Sequence, residues 1–143
     1  MTSLILRTAS KFLLPVTLLF SIWVLFRGHN APGGGFIGGL IASSGFALYL
    51  VAHGVKALRG VIKIKLSVLL ASGFIFVLGS GLIALLQNKN FLTGIWINIK
   101  FTHMQIGSPI LFDIGVYLVV LSSVLVMMLA LEESIFRVES WQG

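Results

Sequence analysis

The 143-residue sequence predicts an all-α integral membrane protein, with four transmembrane helices and a partly extended surface segment between helices 3 and 4. Three observations lead there. Apolar residues make up 57% of the chain and charged residues 10%, which leaves too little polar surface to cover a water-soluble globule. Four apolar runs, at about 8–26, 35–54, 66–86 and 110–131, are each long enough to cross a hydrocarbon layer of about 30 Å. The charges collect between these runs as topological signals do, so a net charge of +6 points to headgroups and not to nucleic acid. A single membrane domain, 1–143, accounts for the whole chain, with no internal repeat or low-complexity tract. Without cysteine there is no disulfide framework, thiolate metal site or catalytic thiol.

Arg7 and Lys11 precede the first run, the layout of a signal peptide. Arg27 and His29 then stand where a cleavage site needs small residues, so the first helix is read as uncleaved. Lys11 reaches toward the headgroups, and Pro15 falls in the first turns, where a missing donor matters least.

Gly28-His29-Asn30-Ala31-Pro32-Gly33-Gly34-Gly35-Phe36-Ile37-Gly38-Gly39-Leu40 follows, the stretch that a generic membrane helix explains worst. Pro32 removes a donor, and each glycine costs a helix about 1 kcal/mol relative to alanine. A span can start here only if another surface packs on the bare backbone. From Gly35 the spacing places Gly35, Gly39, Ser43 and Ala47 on one helix face, which Gly34, Gly38 and Ala42 widen. That face is expected to dock partner helices.

Lys56, Arg59, Lys63 and Lys65 form a short basic loop before the third span, where Ser72, Gly73, Gly79, Ser80 and Gly81 have the character of helix contact points. In the next connection Ile95, Ile97, Ile99 and Phe101 alternate with Trp96, Asn98, Lys100 and Thr102, the period of a strand lying along the membrane surface. After the fourth span, 132–143 reads as an acidic, then amphipathic tail with Trp141 as an interfacial anchor. Placing both termini in the cytoplasm puts Arg7, Lys11, Lys56, Arg59, Lys63, Lys65 and Arg137 inside, and only Arg27, Lys89 and Lys100 outside. The His29 stretch, His103 and the start of the fourth span then share the outer face.

Asp113 is the one carboxylate inside a predicted span, about a turn from its outer end. Such residues usually face protein or water and are candidates for an ion or proton path. Asp113 reads equally well as an interfacial residue satisfied by loop amides or by Lys100. Tyr117, four residues on, extends a polar path by one turn. Histidine is the side chain suited to proton relay near neutral pH, which makes His29 a candidate relay, against the plainer reading of a turn residue bonded to a backbone carbonyl. His53 is placed among headgroups. Three scattered histidines and one intramembrane carboxylate are a weak case for a metal site, and no cofactor is expected. The glycine run lacks the lysine and the preceding strand of a phosphate-binding loop. No nucleophile with an adjacent base can be assembled, so the chain is not read as an enzyme.

The glycine stretch, together with Gly107-Ser108-Pro109-Ile110-Leu111-Phe112-Asp113-Ile114-Gly115-Val116-Tyr117-Leu118, strongly resembles the B-type component of the multisubunit Mrp/Mnh sodium/proton antiporters, the MnhB/MrpB family. The likeness covers nearly the whole chain. It implies a bacterial plasma-membrane complex that expels sodium with the proton gradient. Its partners would be large antiporter-like subunits of A and D type, and small membrane subunits of C, E, F and G type. Related B-type components of respiratory complexes such as membrane-bound hydrogenase are the alternative.

Three roles are expected of such a chain. His29, Asp113 and Tyr117 could form a polar entrance on the outer side. Asn30, Pro32, Gly33, Gly34, Gly35, Phe36, Gly38, Gly39 and Ser43 could form a packing motif in a scaffold. Less favoured is a small channel made by self-association of the glycine face. Four short spans with one carboxylate do not hold an alternating-access machine of their own, which favours a subunit role.

Overall fold

The computed structural model describes residues 4–28, 33–86, 88, 90, 92–94, 96–98 and 105–139. Among these, four helices are long and apolar enough to cross a membrane: α1 (Leu4–Arg27), α2 (Gly35–His53), α4 (Leu66–Leu86) and α5 (Ser108–Glu139), with Ser108–Ser134 the membrane-length part of α5. A short α3 (Val55–Val61) joins α2 to α4. Between α4 and α5, β1 (Trp96–Asn98) pairs antiparallel with β2 (Gln105–Gly107), Ile97 opposite Ile106. β1 falls in the stretch whose alternation predicts extended backbone.

The spanning helices pack in the spatial order α1, α2, α5, α4, with α2 and α5 in the middle. On α5 the seam is a stripe of Tyr117, Leu121, Leu125 and Leu129, each one turn after the last and all buried. The stripe joins Leu25 of α1, Ala42 and Leu50 of α2, and Leu58 of α3 in one core. The outer sides of α1 and α4 carry exposed Phe12, Leu19, Phe20, Ile75 and Leu78, as lipid-facing surfaces do.

Three features differ from the sequence reading. α1 begins at Leu4, so Pro15 is mid-helix and deprives the Lys11 carbonyl of its usual donor. The basic loop contains α3, which begins after Gly54 at φ 82° and is anchored by fully buried Leu58 while Lys56 and Arg59 face out. Seven residues with Lys56, Arg59 and Gly60 among them are too short a stretch for a helical period to show. α5 starts at Ser108, since Pro109 in a first turn is tolerated, and continues to Glu139 through the expected tail. No glycine or proline in 131–139 stops it. His29, Asn30, Pro32, His103 and Trp141 lie outside the described residues.

Candidate functional site

Where α1 ends and α2 and α5 begin, three backbones meet at glycines. The amide of Gly34 donates to the Val24 carbonyl at 3.2 Å, folding the start of α2 back onto the last turns of α1. Gly28 lies so close to Gly34 that a methyl group on it would sit 2.2 Å from the Gly34 Cα. Gly34 itself has φ 87°, a backbone conformation that favours glycine. A methyl group there would lie 3.3 and 3.4 Å from the two carboxylate oxygens of Asp113. The Asp113 side chain, half-buried on the first turns of α5, is thus seated against the residue that caps α2. The carboxylate therefore lies near the start of α2, the positive end of its dipole, a favourable setting for a negative group.

The glycines beyond Gly34 serve two neighbours. Cβ atoms at Gly35 and Gly39 would fall 2.0 Å from the Asp113 carbonyl oxygen and 3.0 Å from the Tyr117 carbonyl oxygen, so this side of α2 lies backbone to backbone on α5. Gly38 faces both the Ser21 carbonyl of α1 and the ring of Tyr117, and Gly45 receives Thr17 of α1. The face expected to dock partner helices is therefore filled by the chain's own α1 and α5. This also removes the surface on which a self-associated channel would be built. Four-residue spacing identifies a small-residue stripe, but two stripes on one helix imply two neighbours, and the nearest ones available are in the same chain. Ser43 is buried, its hydroxyl donating to the Gly39 carbonyl at 2.7 Å, whereas Phe36 is 58% exposed and points away from the bundle.

Tyr117 lies one turn below Asp113, buried, with its hydroxyl 2.9 Å from Ser21 Oγ. Ser21 donates its own proton to the Leu18 carbonyl at 2.7 Å, so it accepts from Tyr117. The structure thus brings Asp113, Tyr117 and the Gly33–Gly39 run together at one end. It adds Ser21, which the sequence reading missed. A signal was available: Ser10, Leu14, Thr17 and Ser21 recur at helical spacing, a hydroxyl-rich stripe on α1. Ser10 and Ser21 are fully buried along it.

At the opposite end His53 is not free among headgroups. Its ring stacks on Tyr49 with centroids 4.2 Å apart and its Nδ1 is 3.4 Å from Ser10 Oγ. Its Nε2 is buried without a partner among the described residues. Arg7 Nε donates to the Ala52 carbonyl at 3.2 Å and closes this end of the α1–α2 pair.

Fold and site together define a class: a small four-span membrane protein whose second span starts on a glycine turn folded over a carboxylate of the fourth. The family model described as "Domain related to MnhB subunit of Na+/H+ antiporter" matches residues 5–126. The chain belongs to that family. It is 36% identical over 120 residues to the B-type Na(+)/H(+) antiporter subunit of Bacillus subtilis (strain 168), covering 82% of this chain and 84% of that protein. A provisionally named antiporter subunit mnhB2 of Staphylococcus aureus (strain Newman) is 33% identical over 130 residues, 89% of this chain and 92% of its own length. A solved structure, that of the Mrp complex from Dietzia sp. DQ12-45-1b, matches with TM-score 0.79 and 33% identity, covering 90% of this chain and 14% of the matched chain. There the fold is one part of a much longer polypeptide.

Proposed function

We propose that this chain is the B-type membrane subunit of a bacterial multisubunit Na+/H+ antiporter of the Mrp/Mnh kind, and that Asp113 lines a polar entrance at the glycine-turn end of the bundle. The observation that carries the second half is the seat of the Asp113 carboxylate against Gly34, at the start of α2 and one turn above the Tyr117–Ser21 pair. A carboxylate is costly in lipid, and one inside a span that faces protein or water is a candidate for an ion or proton path. Relatives named as antiporter subunits, and a matched structure in which the fold is part of an Mrp complex, support the first half. The partners are then the A- and D-type large subunits and the C-, E-, F- and G-type small ones. The complex sits in the bacterial plasma membrane, with both termini in the cytoplasm as the charge bias indicates.

Asp113 and Tyr117 act as positioning and relay groups for a cation or proton that passes on to the large subunits, which perform the exchange. Asp113→Asn keeps the shape of the side chain and removes its charge. In everted membrane vesicles it is expected to lower sodium-dependent proton exchange at least tenfold with the complex assembled at wild-type level. Wild-type exchange in that variant would refute the entrance and leave a scaffold role.

A further inference from the structure

At the end of the bundle opposite Asp113, a groove of about 520 Å³ opens where α3 turns into α4 and faces α5 between Val126 and Glu133. Lys63, Lys65 and Ser67 line it from the α3–α4 side, and Val126, Leu129 and Ala130 from α5. Arg59, on its rim, is paired with Glu133 of α5. Lys63 and Lys65 have no carboxylate partner among the described residues, so the groove holds two uncompensated cations.

We propose that this groove binds an anionic phospholipid, its phosphate between Lys63 and Lys65 and one acyl chain along Val126 and Ala130. Three observations converge. The cations lie directly before Leu66, where a 21-residue apolar span begins, and therefore at the level of lipid phosphates. Cations and apolar side chains line the same groove, which suits a molecule with an anionic head and an apolar chain and not a free phosphate ion. An acidic peptide laid along Val126 and Ala130 would carry its backbone amides into hydrocarbon, where each must find a partner, whereas a lipid chain brings none. Ser67, in the first turn of α4, adds a hydroxyl at the same level, and a basic pocket between spans on this side is a setting known to favour anionic headgroups.

The test uses the full chain, with the membrane partners that copurify with it, held in dioleoylphosphatidylcholine and titrated with dioleoylphosphatidylglycerol, and counts retained lipid by native mass spectrometry. The wild type is expected to retain phosphatidylglycerol in preference to phosphatidylcholine. Lys63→Gln and Lys65→Gln each weaken retention about fivefold. Ala130→Phe, which fills the groove from α5 with no change in charge, also weakens it, and this variant carries the test if the lysine variants fail to assemble. Lys11→Gln, outside the groove, leaves it unchanged. Equal retention of the two lipids, or unchanged retention in Lys63→Gln, Lys65→Gln and Ala130→Phe alike, overturns the proposal. So does displacement by glycerol phosphate alone, or crosslinking of Lys63 to an acidic segment of a partner protein.

Discussion

The α2–α5 contact makes a sharp demand at Gly35. An alanine Cβ there would sit 2.0 Å from the Asp113 carbonyl oxygen and 2.8 Å from its carbon, backbone atoms that cannot turn aside as a side chain can. Ordinary contact begins near 3.4 Å, so the helices must part by about 1.4 Å at this level. A gap of only 0.5–1 Å already forfeits about a quarter to a half of each dispersion contact, and the loss is shared along the whole seam. The expected cost of Gly35→Ala is about 3 kcal/mol, the upper end for overpacking. Gly79 on α4 is the matched control: nothing lies within 4 Å of its would-be Cβ, and alanine should gain up to about 1 kcal/mol of helix propensity there. Melting of the solubilised protein, followed by loss of the intact size-exclusion peak, should rank Gly79→Ala at or above wild type and Gly35→Ala well below. A Gly35→Ala protein as heat-resistant as Gly79→Ala would show that the two backbones are not in contact.

Other expectations rest on different parts of the molecule. Gly73 and Gly115 cross backbone to backbone, a Cβ on Gly115 lying 2.8 Å from the Gly73 carbonyl oxygen, so Gly115→Ala should destabilise the α4–α5 pair by about 1–3 kcal/mol in the same melting assay. Tyr117→Phe should cost about 0.6–1 kcal/mol, and a double-mutant cycle with Ser21→Ala should return most of that as coupling, because Ser21 keeps its bond to the Leu18 carbonyl when the tyrosine hydroxyl is gone. Removing the exposed Arg59–Glu133 pair with Arg59→Gln should leave stability within about 1 kcal/mol, since ion pairs in water contribute little. For topology, a single cysteine at Lys63 should react with impermeant reagents only in inverted vesicles and one at Gly94 only in right-side-out cells, a clean measurement in a chain without native cysteine.

Much of this architecture is legible in the sequence, for physical reasons. Lipid leaves few ways to satisfy a backbone, so four long apolar runs imply four helices, and all four occur. The seat of Asp113 is half legible: its isolation within a span flags it, but only folding shows that it meets Gly34, 79 residues away in sequence. The neighbours of the glycine face are not legible, because spacing reports that a helix is approached closely and is silent about which helix approaches. α3 escaped because Leu58 is buried by tertiary contacts and not by any local period. Ser21 escaped because a lone hydroxyl in an apolar run has many bland explanations, and the tyrosine that uses it is 96 residues away.

The claim that this chain is a subunit of a larger transporter is met most directly by purifying it. A C-terminal tag, gentle solubilisation and mass spectrometry of what copurifies in fixed proportion should recover two large antiporter-like membrane proteins together with several small ones. Recovery of this chain alone, as a stable homo-oligomer, would contradict the account.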